Sequence, residues 1–356
     1  PTDQRLPWVT FSGSKQQFFQ TPLFYTLNSE YIHLYRQDGI ETRNITSMHH
    51  SELNPRFFLP IKAGNYFTIE PIAGFRYNYW YINDVENDDP EQETSVDRSI
   101  YDLGVNFASE IYRIFNVDGK RVDKIKHSIR PKITYEFIPE VDQADIPNFS
   151  NIAAIDKKNI VTYSLTSTLT SKLKRHQFKK GQSKPQYEYR DFLRLFLKQS
   201  YDFDKAQNST SEESEPLSPL FGEIRFQPSP YIWGRADMQW DFEEQRSLEY
   251  NLEGVLKDNR GDRLHARYRI KEDERENINV HLRLAITRRL ATTIQYERDL
   301  FAKKDVKRGL GWRYRADCWT FSFDYLEENE DRRYAFAILL HGLGGFKQSL
   351  SENFDR

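Results

Sequence analysis

Cysteine is almost absent from this chain. Its one cysteine, Cys318, has no internal partner for a disulfide, and a metal site built on cysteines is argued against by the same count. Long apolar runs are missing too. No stretch of eighteen apolar residues occurs, and a mean hydropathy of −0.78 excludes a helical membrane protein. Neither sign of charge dominates: 51 basic residues stand against 53 acidic ones, so no overall field selects nucleic acid or an anionic surface. Any electrostatic role must be local. The start, Pro1-Thr2-Asp3-Gln4, lacks the basic and apolar stretches of a signal peptide, so an exported protein is expected to appear here as a mature piece or fragment. No G-x-S-x-G, Walker, H-E-x-x-H or C-x-x-C motif is found, and neither an enzyme nor a cofactor is expected. No metal is expected either. His49-His50 lacks a third ligand nearby, and Asp142, Asp145 and Asp156 do not match an EF-hand spacing.

Aromatic residues, in contrast, are plentiful: 25 Phe, 21 Tyr and 6 Trp, too many for a disordered chain. Many stand in a period-two pattern, which marks strands with two unlike faces. Ile232, Gly234, Ala236, Met238, Trp240 and Phe242 alternate with Trp233, Arg235, Asp237, Gln239 and Asp241. Leu264, Ala266, Tyr268 and Ile270 alternate with Arg263, His265, Arg267 and Arg269. Ile278, Val280, Leu282, Leu284 and Ile286 alternate with Asn279, His281, Arg283, Ala285 and Thr287. Trp319, Phe321, Phe323 and Tyr325, then Tyr334, Phe336, Ile338 and Leu340, complete a series read as consecutive strands. Short charged turns punctuate it at 243–245, 258–261, 272–275 and 327–331.

The first half shows longer strand candidates at 7–14, 22–38, 42–60, 65–82, 97–114, 120–138, 160–175 and 186–203. Polar loops separate them, notably 83–95, 139–159, 176–185 and 204–217; no stretch has helical period. Segments of about 9–11 residues cross a bilayer when tilted. An aromatic-rich but polar chain of such strands predicts an all-β fold, a large antiparallel up-and-down transmembrane β-barrel. About sixteen or seventeen strands are expected from this chain. Residues 1–344 form the barrel region, and 345–356 a C-terminal tail. A soluble β-sandwich binding protein has similar alternation and stays open as an alternative.

Four segments resemble a known family. His127-Ser128-Ile129-Arg130-Pro131 leads through Tyr135 to Pro139, followed by Asp142-Gln143-Ala144-Asp145-Ile146-Pro147-Asn148-Phe149. Pro71-Ile72-Ala73-Gly74-Phe75-Arg76 is the second, Leu193 to Tyr201 with Asp202 the third, and Tyr314-Arg315-Ala316-Asp317-Cys318-Trp319 the fourth. In order and spacing these are similar to the barrel of the LptD family of lipopolysaccharide-assembly proteins. The family often has adjacent cysteines before the Trp, where this chain has Asp317 and Cys318. The family barrel is also larger and follows a periplasmic jellyroll, so that domain and the first barrel strands are expected to lie outside this chain. A closed barrel is not expected from the piece alone, because its open edge would strand backbone groups in lipid.

The resemblance implies an outer-membrane translocon of a Gram-negative bacterium. Its cargo would be lipopolysaccharide, and its partners the plug lipoprotein LptE and the periplasmic bridge protein LptA. It implies that Cys318 pairs with a cysteine outside this chain, which an oxidising periplasm permits; the plain reading is a free thiol. It implies that the last strand, with Tyr334, Phe336, Ile338 and Leu340, borders a lateral gate, while Gly342, Gly344 and Gly345 read as a simple turn. Arg235, Arg263, His265, Arg267, Arg269 and Arg283 are candidate lumen-facing contacts for the cargo, since Arg forks suit phosphate. Their bland reading is a solvated wall balanced by Asp237, Asp241 and Asp324. A general porin remains the alternative in the membrane.

Overall fold

The computed structural model describes residues 3–36, 45–64, 66–85, 95–146, 154–174, 187–207, 215–328 and 331–341. Nearly every described segment is extended, because alternating residues give each strand one face for each environment. The chain divides into two compact units. One comprises 1–111, 130–165 and 198–218; the other comprises 112–129, 166–197 and 219–356.

In the N-terminal unit, β1 (Asp3–Gln17) pairs with β2 (Phe24–Arg36), which pairs with β3 (Ile45–Phe58). Both β3 and β4 (Ile61–Ala63) lie antiparallel to β5 (Phe67–Val85). Pro60 cannot donate to a ladder, so it interrupts what is otherwise one pass. β5 pairs with β6 (Ser95–Ser109), and β6 with β8 (Val122–Ile138). The short β7 (Ile111–Asn116) continues the path of β6 beyond Glu110. β9 (Lys158–Lys174) and β10 (Tyr187–Asp202) follow in the chain and, like β8, are divided between the two units, while β7 beyond Ile111 belongs to the second. A helix, α1 (Phe203–Gln207), then departs from the all-strand expectation. It is one turn long, too short to show a period, and Asp202 caps it by accepting the N–H groups of Asp204 and Lys205.

The C-terminal unit is a plain meander. β11 (Leu220–Ser229), β12 (Ile232–Asp241), β13 (Arg246–Lys257), β14 (Arg263–Lys271) and β15 (Arg275–Ala285) pair in sequence. β16 (Leu290–Asp299), β17 (Lys304–Arg315), β18 (Trp319–Glu328) and β19 (Asp331–Leu340) continue it. Three strands, β13, β16 and β17, therefore stand among those the alternation had joined directly. With β3 and β4 as one pass and β6 and β7 as another, the nineteen strands make seventeen passes, as expected.

Register converts the alternation into continuous faces. Leu256, Leu264, Leu282, Ile294, Leu310, Tyr325 and Tyr334 lie opposite one another across seven strands. The reverse face carries Arg235, Glu253, Arg267, Asn279, Glu297, Lys307 and Glu328 in another such row. Among the described residues only seven hydrophobic side chains are buried: Ile32, Leu34, Met48, Trp80, Ile82, Ile100 and Val255. Phe336 and Ile338 are 67% and 69% exposed. In water each such side chain would forgo about 1.5–3 kcal/mol of burial. A sandwich needs two apolar faces packed on each other, so that alternative fails. The apolar face is built for lipid.

Leu282→Arg is expected to destabilise the folded protein by about 2–4 kcal/mol, as a cation on a lipid face does near the midplane. Asn279→Arg, on the reverse face beside Glu297, is expected to be nearly neutral. Heat-modifiable gel mobility measures both, and equal losses would contradict the assignment of faces.

Candidate functional site

The polar face of the C-terminal unit holds all six of the expected cations, but it treats them differently. Arg235 Nε lies 2.9 Å from Glu223 and 3.0 Å from Asp237, while Glu223, itself 5% exposed, also holds Arg225 at 2.8 Å. Glu253 gathers His265 and Arg267, each at 2.7 Å. These three expected cations belong to a neutralised wall. A cavity of about 240 Å³ opens between Arg235, Asp237, Glu249, Asn251, Glu253, Arg267, Arg269 and Arg275. Asp237 does pair with Arg235, but Asp241 accepts the N–H groups of Glu243 and Glu244 in the following turn. Asp324 leans over Gly311, where a Cβ would meet its carboxylate at 2.6 Å. Glu223 and Glu253 do most of the work, each from the strand next to the expected cations it holds.

Arg263, Arg269 and Arg283 have no carboxylate within 4.0 Å among the described residues. Arg263 lies between Lys257 and Arg283 in register, cation beside cation on three neighbouring strands. The turn joining Lys257 to Arg263 is clasped by Asp258, whose Oδ1 accepts the N–H groups of Arg260, Gly261 and Asp262. Desolvation pushes the Asp258 carboxyl up, yet those N–H groups and the Arg260 guanidinium together hold it below the ordinary carboxylate range.

A second polar assembly lies in the N-terminal unit. His50, Asn78 and Arg98 are all buried. Arg98 Nη2 donates to Asn78 Oδ1 at 2.9 Å, and Asn78 Nδ2 donates to Glu52 at 2.9 Å. The Arg98 guanidinium stands 5.3 Å from the Trp80 ring centroid. From the other side Arg98 Nη1 donates to Gln143 Oε1 at 2.7 Å. Gln143 also takes the Ile155 N–H and donates to the Ile155 carbonyl, both at 2.9 Å, which ties the two described flanks of loop 139–157 together. Ile146 packs on the cluster of Ile32, Leu34, Met48, Trp80 and Ile82. Beside this network is a cavity of about 710 Å³ whose walls include Trp8, Glu30, Glu52, Arg76, Arg98 and Ile155.

The recognisable segments serve this construction. A Cβ on Gly74 would lie 2.1 Å from Asp102 Oδ1, so glycine leaves room for the Arg56–Asp102 ion pair at 2.6 Å. Tyr135 Oη donates to Asn159 at 2.9 Å. Gln199 accepts from Tyr163 and donates to the Ser218 carbonyl, fastening the segment that follows α1. Cys318 is exposed and free in the turn between β17 and β18. His341 N–H donates to its carbonyl at 2.8 Å, and Arg289 grips neighbouring Asp317 with two contacts of 3.0 and 3.2 Å. Tyr334, Phe336, Ile338 and Leu340 share one exposed face of β19. Gly342, Gly344, Gly345 and the tail lie outside the described residues.

The sequence model of LptD, described as LPS transport system D, matches residues 2–297. The chain belongs to the LptD family. Family membership places it in the outer membrane, as part of a β-barrel. The LPS-assembly protein LptD of Vibrio vulnificus is 22% identical over 278 residues, covering 70% of this chain and 35% of that protein. The LPS-assembly protein LptD of Aliivibrio fischeri is 22% identical over 362 residues, covering 91% and 44%. The chain thus spans less than half the length of either relative. Among solved structures, a mutant of Rh. blastica porin aligns with a TM-score of 0.31 at 11% identity, covering 88% of this chain and 98% of the porin. The ferric enterobactin receptor of Pseudomonas aeruginosa aligns at 0.24 and 8%, covering 94% and 70%. Within the described part of the D-Q-x-D-I-P stretch, Gln143 is the residue that ties the loop's flanks to Arg98.

Gln143→Ala removes three hydrogen bonds and is expected to loosen the loop by about 2–3 kcal/mol locally. Limited proteolysis should then cut within 139–157 several times faster. An unchanged cleavage rate would show that the loop is held by other means.

Proposed function

We propose that this chain is the membrane part of a lipopolysaccharide translocon, a transport component rather than an enzyme. The observation that carries the reading is the two-faced sheet in a chain of the LptD family. One face is apolar and exposed, while the other is lined with paired and unpaired charges that suit a hydrated conduit. The polar sugar and phosphate parts of the cargo would travel along the charged face, and its acyl chains would leave through a seam into lipid.

The seam in this reading borders β19. Its described pairing is to β18, and a strand edge that can part from its neighbour is the natural place for a reversible opening. Tyr334, Phe336, Ile338 and Leu340 would then meet the departing acyl chains. LptE would occupy the lumen as a plug. LptA would dock on a periplasmic domain outside this chain and deliver the cargo. Cys318, exposed in its turn, would be available to a cysteine of that domain, and the bond would lock the mature assembly. Arg263, Arg269 and Arg283 are better placed to meet cargo than Arg235, His265 and Arg267, whose charges Glu223, Asp237 and Glu253 already answer.

Depleting the full-length protein in its host tests this. Surface lipopolysaccharide is expected to fall while lipopolysaccharide accumulates inside the cell. Unchanged surface lipid, together with free ion conduction by the purified protein in planar bilayers, would replace the translocon by a general porin.

A further inference from the structure

We propose that Lys257, Arg263 and Arg283, with His281 beside them, form a phosphate-binding site on the polar face of the C-terminal unit. The three cations come from consecutive strands, β13, β14 and β15. Lys257 lies opposite Arg263, and Arg263 opposite Arg283. Strands about 4.8 Å apart place the three side chains across roughly 10 Å. Like charges directly opposite each other destabilise a sheet. Four positions along the same strands the face alternates in sign or is neutral instead, as Glu253, Arg267, Asn279, Glu297, Lys307 and Glu328 succeed one another. At Lys257, Arg263 and Arg283 it does not.

Nothing in the neighbourhood answers the charge. No carboxylate among the described residues comes within 4.0 Å of any of the three. Asp258 and Asp262, the nearest acids in the chain, are committed elsewhere. Asp258 accepts three N–H groups of its own turn, and Asp262 accepts the Ala285 N–H at 2.6 Å and pairs with Arg260. Glu253, in the next polar position along β13, is taken by His265 and Arg267. Two buried nitrogens, Arg263 Nε and His281 Nε2, have no hydrogen-bond partner. His281 lies opposite His265 in the adjoining register position. Buried polar nitrogens left unmet are costly, and Arg235 and Arg267 on the same wall have carboxylates where Arg263 and Arg283 have none.

A phosphate supplies what is missing. It brings up to two negative charges and several acceptor oxygens, enough to receive the forks of two arginines, the Lys257 ammonium and a His281 ring N–H. A monoester or a diphosphate fits this donor set better than a diester, which carries one charge. The group could be borne by a phosphorylated glycolipid, by a phospholipid headgroup or by free phosphate. The inference deepens the translocon reading and rests on it only for the choice among those sources.

Thermal unfolding of the full-length protein in detergent tests the site, with sodium pyrophosphate compared against sodium chloride at equal ionic strength. Pyrophosphate is expected to raise the midpoint by about 3 °C, the size of a ligand effect on a domain of this length. In Arg263→Gln/Arg283→Gln the shift should vanish. Having shed its repulsion, that variant should unfold in chloride no earlier than the native protein. If the double variant does not fold, Lys257→Gln, at the exposed end of the row, should still reduce the shift by about half. Repeating the measurement with inorganic phosphate, with phosphatidylglycerol and with a bisphosphorylated glucosamine lipid assigns the source to whichever reproduces the shift at the lowest concentration. No shift in the native protein, or one that survives the double substitution, overturns the site. Lipopolysaccharide delivery is not the readout, so failure of the translocon reading would leave the shift in place.

Discussion

A backbone N–H or C=O inside a bilayer has no water to turn to, and every one of them must find its partner in a neighbouring strand. That requirement organises this molecule more than any side-chain contact. It favours long antiparallel strands, short turns between them and an unbroken succession of registers. Turns can be tight because Gln245, Asp273 and Lys303 take positive φ values of 52–54° and reverse the chain. Once the registers are set, each strand's alternation has to agree with its neighbours', and the row from Leu256 to Tyr334 is the result. Burial then loses its usual meaning. The few buried hydrophobic side chains include a cluster around Trp80, on which Ile146 packs, and the rest of the apolar surface is left for lipid.

Most of this was legible in the sequence because period two survives wherever a strand separates two unlike solvents. The eight strand candidates of the first half all correspond to strands, and the turns at 243–245 and 258–261 lie where charge and glycine placed them. The alternation faltered at particular residues. β16 carries a register shift at Glu297 and Arg298, and β17 places Gly309 and Gly311 among its alternating positions, so neither stands out as a clean pattern. β13 has Gly254 on its apolar face and Val255 on its polar one. α1 is a single turn, too brief for any helical period.

The candidate site was legible by residue type and face, but not by partner. Arg235, Arg263, His265, Arg267, Arg269 and Arg283 all lie on the polar wall. Which of them are answered depends on which strand stands opposite in which register. Glu253 is ten or more positions away from His265 and Arg267 in the chain, yet one strand away in space. Asp241 looked equally able to balance a cation and instead spends its carboxylate on the next turn. A one-residue change of register would have exchanged these roles, so composition could give the number of charges and not their bookkeeping.

Recognisability and function also separate in space. Gly74 makes room for Asp102, Gln143 holds Arg98 and both flanks of a loop, and Gln199 fastens the segment after α1. Each of these residues has a demand that few side chains satisfy: no Cβ, or an amide that donates and accepts at once. Such demands produce legible motifs, and they belong to the scaffold. A cation on the polar wall has a looser demand, since Lys and Arg at several registers can fill it equally well. The open row at Lys257, Arg263 and Arg283 carries no sequence motif for that reason. It stands out because three cations on neighbouring strands face one another with no carboxylate in reach, whereas Arg235, His265 and Arg267 on the same wall are answered, a contrast set by register rather than by composition.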